Sequence, residues 1–239
     1  MKAMLFAAGL GTRLKPFTDS HPKALLPLGG KTLLQWQLDK LRASGLIDIV
    51  INVHHMAEQI EQHLKEHNNY GCNIRLSDER KCLLETGGGL RKAWRDYTDW
   101  QSEPWLVLNV DILSNIDMVH LMATYTATNS SQLVVSERQT QRYLCFDPNS
   151  RLCGWTNIAT GEVRGSDGQH LAFSGMQILS PDVLNMLGDM EQEKFSLIDF
   201  YLRIQERTTL HAFVPQDYQM MDVGKMDQIE QAVAFAQQL

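Results

Sequence analysis

A glycine-rich loop with several cations follows the first apolar run of the chain. In FAAGLGTRLKPFTDSHPKALLPL, residues 6–28, Gly9 and Gly11 precede Arg13, and Lys23 lies further along. Glycines let backbone N–H groups approach an anion, and an arginine adds a planar fork of donors that matches phosphate oxygens. The pattern therefore indicates a phosphate-binding loop. On these residues alone, a plain turn with solvated cations is an equally good interpretation.

Two better-known phosphate motifs are incomplete here. The dinucleotide fingerprint G-x-G-x-x-G fails because Leu14 stands at its third glycine. The Walker A pattern G-x-x-x-x-G-K-[ST] is matched at its end by Gly30, Lys31 and Thr32, but Leu25 stands at the position of its first glycine. Neither motif explains the loop.

Two aspartates stand where they need an explanation. Asp111 directly follows the apolar run WLVLNV, and Asp222 lies in the segment MDVG. Asp111 could cap a helix, since SNIDMVHLM follows it, and Asp222 could belong to a turn or cap the helical pattern that follows it.

Apolar runs alternate with helical patterns in the first half of the chain. The runs at 3–8, 47–53 and 105–110 predict buried strands, and the patterns at 32–45, 57–67 and 86–97 predict helices. Such alternation predicts an α/β fold with a parallel sheet, in which ligands bind at the carboxyl ends of the strands. Strands at 133–138, 143–147, 151–157, 170–179, 209–214 and 218–223 and helices near 181–188, 196–206 and 225–237 are predicted for the remainder. We expect a single domain over 1–239.

Composition excludes several classes of function. The 239 residues carry a formal net charge of −6, which argues against a nucleic-acid-binding surface. The four cysteines are scattered and predict neither a disulfide framework nor a zinc motif. Since no apolar window approaches the roughly 20 residues of a membrane helix, we expect a cytoplasmic protein without a membrane partner.

The loop and later segments together resemble the sugar nucleotidyltransferases, or nucleoside-diphosphate-sugar pyrophosphorylases. The similarity is carried by A-A-G-x-G-T-R-L-x-P-x-T and P-K-A-L-x-P, then by INVHH, LETGGGL, NVD, FSG and MDVG in the same order. ETGGG is most similar to short bacterial N-acetylmuramate 1-phosphate uridylyltransferases and mannose-1-phosphate guanylyltransferase-like proteins. The resemblance implies a Rossmann-like three-layer αβα sandwich with a mostly parallel mixed sheet. It also implies a nucleotide-binding half over 1–115 and a sugar-binding, closing half over 116–239.

The resemblance assigns roles to individual positions. It implies that Arg13 and Lys23 are catalytic and that Asp111 and Asp222 bind Mg²⁺. For substrates, it implies nucleotide binding by Ala8, Gly9, Gly11, Thr12, Glu85, Thr86, Gly87 and Gly88, and sugar binding by Asn109 and Gly175. One departure is Lys225, which stands after DVG where family members often have threonine.

The implied reaction joins a nucleoside triphosphate, UTP by preference, to a sugar 1-phosphate and releases pyrophosphate. An alternative acceptor is a non-sugar phosphate such as phosphocholine, and an alternative class is a catalytically silent nucleotide-sensing subunit. The oligomeric state is open.

Two further groups of residues leave alternatives open. His54 and His55 with Glu58 suggest a metal site, but their spacing is poor and no third ligand is apparent, which favours the carboxyl end of a strand near the substrate or a helix cap. The lysine that holds the sugar phosphate in many relatives is absent: Thr156 stands near its place, and Arg151 or Arg164 could substitute.

Overall fold

The computed structural model describes residues 1–239, which divide into two units. The first unit comprises 1–84, 107–115 and 219–239; the second comprises 85–106 and 116–218. Up to residue 115 the elements are β1 (Lys2–Phe6), β2 (Pro27–Leu28), β3 (Lys31–Thr32), α1 (Leu33–Ala43), β4 (Asp48–Val53), α2 (Ala57–Glu66), β5 (Asn73–Asp78), α3 (Glu85–Asp96), β6 (Trp105–Asn109) and β7 (Ile112–Ser114). The remaining elements are α4 (Met118–Thr128), β8 (Ser131–Ser136), β9 (Arg142–Phe146), β10 (Leu152–Asn157), β11 (Glu162–Gly165), β12 (Gln169–Leu179), α5 (Pro181–Gly188), α6 (Leu197–Ile204), β13 (Leu210–Phe213), β14 (Met220–Asp222) and α7 (Ile229–Ala236).

A parallel sheet organises the first unit. Its strand order is β6-β1-β4-β5, and both β1 with β4 and β4 with β5 pair in parallel. Strands β1, β4 and β6 are buried along most of their length because helices cover sheets of this kind, whereas β5 at the end of this order is largely half-exposed. The carboxyl ends of β1 and β6 meet at one edge, where the Val110 N–H donates to the Phe6 carbonyl at 3.1 Å. This edge therefore receives both the glycine loop and Asp111.

Helix α1 packs an apolar face inside the first unit. Thr32 caps its start by accepting a hydrogen bond from the Gln35 N–H at 3.1 Å, and Gly45 follows its end in a left-handed conformation. The helix buries four leucines completely: Leu33, Leu34, Leu38 and Leu41. Each buried leucine contributes about 1.5–3 kcal/mol of transfer free energy, so this face fixes the helix rigidly.

The second unit contains mainly antiparallel strands. Their order is β11-β10-β9-β12, and β8 pairs antiparallel with β12 and parallel with β13. Helices α5 and α6 begin at Ser180 and Ser196, whose hydroxyls accept the hydrogen bonds of N-terminal caps. Helix α3 packs against both of them.

The structure confirms the predicted α/β class, with a mixed sheet and accompanying helices. The prediction of one domain over 1–239, with halves meeting at 115/116, stays a prediction. Strands β5 and β11 were not predicted from the sequence, because their residues are largely polar or exposed and lack an apolar run. None of the helices has the length and apolar character required to cross a lipid bilayer.

Candidate functional site

The glycine loop leaves β1 under the control of a buried asparagine. Asn52 of β4 accepts hydrogen bonds from the Ala7 and Ala8 N–H groups, at 2.7 and 3.3 Å. The space around Gly9 is open, since a Cβ built there would meet no atom within 4 Å. The start of the loop is thus fixed, while its glycine side remains open to a ligand.

Gly11 adopts a left-handed conformation because the chain must pass close to Lys23. Its φ is +61°, and a Cβ on Gly11 would lie 2.9 Å from the Thr18 methyl carbon and 3.0 Å from Lys23 Cβ. The Thr18 hydroxyl donates to the Gly11 carbonyl at 3.0 Å, which tightens the same turn. Only glycine fits here without strain.

Lys23 and Lys15 differ sharply in environment. Lys23 is 8% exposed, and its ammonium group forms an ion pair with the Asp111 carboxylate. Lys15 is exposed and pairs with Asp19 on the surface at 2.8 Å. The structure therefore joins Lys23, but not Lys15, to the end of β6.

Asp222 reaches the same region through the short ladder of β7 and β14. Asp222 is paired with Ile112 in this antiparallel register, and the Val223 N–H donates to the Asp111 carbonyl at 2.9 Å. A Cβ on Gly224 would lie 3.0 Å from Asp222 Oδ1 and 3.1 Å from Arg13 Nη2. The guanidinium and the carboxylate thus both lie against Gly224.

Neither aspartate serves as a helix cap. Asp117 caps α4 by accepting from the His120 N–H at 2.9 Å, so Asp111 is not the cap of that helix. Asp222 ends β14, and α7 begins only at Ile229. The capping interpretations are wrong, and the Mg²⁺ assignment stays a prediction.

Helix α1 holds the backbone on both sides of Asp111. Gln37, which is 2% exposed, donates to the Val110 carbonyl at 3.4 Å and to the Ile112 carbonyl at 2.8 Å. The Asp111 peptide is therefore fixed from two directions, by Gln37 and by the Val223 N–H. Sequence reasoning missed Gln37, although a glutamine between Leu34 and Leu38 on an apolar helical face is a usable signal.

Lys40 makes a parallel contact one turn further along α1. Its ammonium donates to the Ser114 carbonyl and also approaches the Ser114 hydroxyl at 3.2 Å. Burial lowers the pKa of Lys40 to about 8. The end of β7 is thus held by a cation in a poorly solvated place.

A second buried network supports the loop from the side of β5. The Asn52 amide donates to Glu79 Oε1 at 2.7 Å, and Glu79 Oε2 accepts from the Leu84 N–H at 3.1 Å. His54 Nδ1 lies 2.6 Å from the Glu79 carbonyl oxygen, whereas Glu58 pairs with Arg80 at 2.7 Å. His54 and Glu58 therefore have separate partners, and the alternative of a shared metal site gains no support.

In the second unit, the predicted glycine segment contacts the chain's own backbone. The Gly87 and Gly88 N–H groups donate to the Phe195 carbonyl at 2.9 and 3.2 Å. A Cβ on Gly87 would collide with the Phe195 ring, and the Thr86 hydroxyl accepts from the Leu197 N–H at 3.0 Å. These contacts give Thr86, Gly87 and Gly88 a structural role, and their binding to nucleotide stays a prediction.

The remaining predicted positions are distributed over both units. Thr12 lies in the 3₁₀ turn after Gly11, and Asn109 is the half-buried last residue of β6. Glu85 begins α3 with a φ of +62°, and Gly175 adopts a φ of +68° within β12.

Among the candidates for the sugar phosphate, Arg164 pairs with Asp199 at 2.7 Å, and the Thr156 hydroxyl donates to the Glu162 carbonyl at 3.3 Å. Arg151 is exposed at the residue before β10.

Comparison with known proteins decides the family. The family model described as "Nucleotidyl transferase" matches residues 2–238. The chain belongs to the nucleotidyl transferase family. The resemblance found in the sequence is thus confirmed, and the protein is an enzyme of the sugar-phosphate nucleotidyltransferase class.

Relatives of this family cover the chain to different extents. N-acetylmuramate alpha-1-phosphate uridylyltransferase of Neisseria meningitidis is 33% identical over 237 residues, which are 99% of this chain and 98% of that protein. Mannose-1-phosphate guanyltransferase of Neurospora crassa is 35% identical over 136 residues, 56% of this chain and 37% of that protein.

A solved structure extends the comparison to the fold. It is a putative glucose-1-phosphate thymidylyltransferase from Bacillus anthracis, with a TM-score of 0.84 and 17% identity. The match covers 100% of this chain and 96% of that chain. It confirms the predicted Rossmann-like fold of nucleotide-diphospho-sugar transferases.

Proposed function

We propose that this enzyme transfers a nucleoside monophosphate, uridylyl by preference, from the triphosphate to a sugar 1-phosphate. The observation that carries the proposal is the meeting of two cation–carboxylate combinations beside one glycine loop. Lys23 pairs with Asp111, and Arg13 lies with Asp222 against Gly224. Phosphoryl chemistry requires such positioned charges more than it requires a covalent catalyst.

The loop from Ala8 to Thr12 is proposed to hold the nucleotide phosphates. The open space at Gly9 permits close approach of phosphate oxygens to backbone N–H groups. Asn52 fixes the loop's start through Ala7 and Ala8, so little ordering remains to be done when the ligand binds.

Arg13 and Lys23 are proposed to stabilise charge on the transferring group and the leaving pyrophosphate. An ammonium has three donors, so Lys23 can keep its bond to Asp111 while it also contacts a phosphate oxygen. Its buried stem and fixed partner reduce the reorganisation needed in the transition state, which is the condition for a large electrostatic contribution.

Asp111 and Asp222 are proposed as the protein ligands of Mg²⁺. The donor set fits the ion, because both groups are hard carboxylate oxygens and their backbones are joined through the Val223 N–H. When bound, Mg²⁺ would neutralise phosphate charge as a Lewis acid. Gln37 would keep the Asp111 end of this pair in place.

The proposed transfer does not require a general base. A phosphate oxygen of the sugar 1-phosphate forms a bond to the α-phosphorus of the triphosphate. The bond from that phosphorus to the oxygen bridging to the β-phosphate breaks, and pyrophosphate leaves with the electron pair. A phosphate monoester has a second pKa near 6, so the nucleophile is already a dianion at neutral pH.

The preference for UTP and for an N-acetylmuramate-type sugar 1-phosphate has support from sequence similarity. The uridylyltransferase of N. meningitidis is 33% identical along 99% of this chain, whereas the mannose-1-phosphate guanyltransferase of Yarrowia lipolytica is 27% identical along 94% of it. The higher identity over a nearly full-length match favours the uridylyl group.

A substrate matrix tests the proposal. Purified enzyme with Mg²⁺ is given each of ATP, CTP, GTP, UTP and dTTP with a panel of sugar 1-phosphates and with phosphocholine, and pyrophosphate release is measured. We expect the highest kcat/KM with UTP and an N-acetylated sugar 1-phosphate. Turnover only with phosphocholine would contradict the acceptor. Tight nucleotide binding without turnover for any pair would contradict the enzymatic role.

A further inference from the structure

A group of metal-ligating side chains lies in the second unit and has no part in the proposed reaction. The Cys145 thiol, an Asp167 carboxylate oxygen and a His170 ring nitrogen lie within 4.8 Å of one another. A thiol, an imidazole and a carboxylate are together the donor set of a zinc site. No short zinc-binding sequence motif contains these three residues, because they belong to two strands and a loop.

The sheet register places the cysteine beside the histidine. Strands β9 and β12 pair antiparallel, with Cys145 opposite His170. Directly opposed residues have Cβ atoms about 4.5–5.5 Å apart on the same face of a sheet. On its other side, Cys145 is paired with Gly154 of β10, so no side chain competes for the space there.

Two glycines allow the loop that contains Asp167 to cross close to these strands. A Cβ on Gly154 would collide with the Ser166 carbonyl, and a Cβ on Gly168 would collide with the Phe146 carbonyl. The same Gly168 Cβ would lie 3.2 Å from the Cys153 sulfur. The segment 166–168 thus lies tightly against β9 and β10, which fixes where Asp167 can point.

The exposed members of the group are already oriented towards each other. His170 Nε2 lies 2.8 Å from Asp167 Oδ1, and the His170 ring stacks on Tyr143 at 5.8 Å with an interplanar angle of 22°. Cys145 is completely buried and supplies the inner end of the group. A cation that binds here needs only a small separation of the histidine and the aspartate.

We propose that Cys145, Asp167 and His170 form a Zn²⁺ site that joins β9, β12 and the segment 166–168. Three protein ligands leave one tetrahedral position for water. Because Cys145 is distant in sequence from Asp167 and His170, the complete ligand set exists only in the folded chain. The metal therefore stabilises the folded over the unfolded state, and Zn²⁺ raises the Tm of this unit.

Cobalt substitution tests the site without measuring turnover. Chelator-treated enzyme is titrated with Co²⁺ and then with Zn²⁺. We expect a thiolate-to-cobalt charge-transfer band in the near ultraviolet that saturates at one ion per chain and disappears when Zn²⁺ is added. Cys145→Ser removes the band, and the exposed Cys82 serves as the matched control, because Cys82→Ser leaves the band intact.

Surface variants keep the test decisive if Cys145→Ser disturbs the core. His170→Ala and Asp167→Asn change exposed side chains and are each expected to weaken Co²⁺ and Zn²⁺ binding about 10-fold or more. The Zn²⁺-dependent rise in Tm is lost in His170→Ala. The double variant His63→Ala/His67→Ala removes a pair of neighbouring histidines, with ring centroids 4.3 Å apart, that could bind Zn²⁺ by itself, and it leaves the band unchanged.

Two results would overturn the proposal. One is a charge-transfer band that persists in Cys145→Ser or disappears in Cys82→Ser. The other is unchanged metal affinity in both His170→Ala and Asp167→Asn.

Discussion

Two glycine segments of this chain use their glycines for different purposes. Around Gly9 there is open space, and the cations Arg13 and Lys23 follow in the chain. Around Gly87 the space is filled by the ring and carbonyl of Phe195. Both segments resemble family landmarks in sequence, but only the first leaves backbone N–H groups accessible beside paired charges.

The difference separates glycines needed for a ligand from glycines needed for packing. The absence of a Cβ lets another group approach the glycine backbone closely. Whether that group is a ligand or another part of the protein depends on which atoms already occupy the space. At Gly87 the partner is the protein itself, so its substitution is expected to affect stability first. At Gly9 substitution is expected to affect substrate binding first.

Removing Lys23 is the strongest test of the charged segment. Lys23→Ala is expected to lower kcat by about 10²- to 10³-fold, because it removes a preorganised contact to transition-state charge. Arg13→Ala is expected to have an effect of the same order. Steady-state pyrophosphate release measures both effects.

Lys15→Ala is the matched control for Lys23→Ala. Lys15 lies on the same stretch of chain but is exposed and paired with Asp19, so kcat should stay near its original value. Near-normal turnover in Lys23→Ala and Arg13→Ala would remove the proposed distinction between the segments.

Alanine substitutions compare the two glycines directly. Gly87→Ala is expected to lower the free energy of unfolding by about 1–3 kcal/mol, because its methyl group overlaps the Phe195 ring. Gly9→Ala is expected to change it by less than about 0.5 kcal/mol, while the KM for the triphosphate rises. Urea denaturation and initial rates distinguish these outcomes. Equal losses of stability in the two variants would contradict the comparison.

The support behind the charged segment can be tested at Gln37. Gln37→Leu leaves the Val110 and Ile112 carbonyls without their buried donor, at an expected cost of about 1–2 kcal/mol in unfolding free energy. Because Asp111 lies between them, the Mg²⁺ concentration for half-maximal rate should also rise. Gln62→Leu, on an exposed position of α2, is the control. A loss of stability without any change in Mg²⁺ dependence would limit Gln37 to a structural role.

The smallest of these effects is expected at Lys40, where the unfolding free energy should depend on pH. Its pKa is lowered from 10.5 to about 8 by burial, so between these values the unfolded chain holds more protons than the folded chain. The unfolding free energy therefore gains about 1 kcal/mol from Lys40 between pH 7.5 and pH 9. Denaturation at both pH values should show that Lys40→Met lacks this gain, whereas Lys65→Met, at an exposed lysine, retains it.

Much of the fold was accessible from the sequence, because apolar periodicity is a local signal. The strands β1, β4 and β6 and the helix α1 lie within a few residues of their predicted bounds. The strand β7, three residues long, was not predicted, because its partner β14 lies far along the chain. A local sequence pattern does not predict the pairing of two short strands that are distant in sequence.

The candidate site was predictable in its charged residues but not in what holds them. Lys23 could be distinguished from Lys15 by its place in the family pattern. The buried polar supports Gln37, Asn52 and Glu79 were missed, because each makes its contacts with residues that are distant in sequence. Their partners become visible only when the strands and helices are assembled in three dimensions.

The interrupted sequence of the first unit imposes an order on its biosynthesis. Residues 116–218, all in the second unit, are translated after Asp111 and before Asp222. The ladder of β7 and β14 therefore cannot form while the ribosome is still making the second unit. In a nascent chain of this enzyme, the Asp111 edge stays exposed until late in synthesis. Chain synthesis proceeds at about 5–20 residues per second. That edge is therefore available to chaperones for the whole time in which residues 116–218 are made.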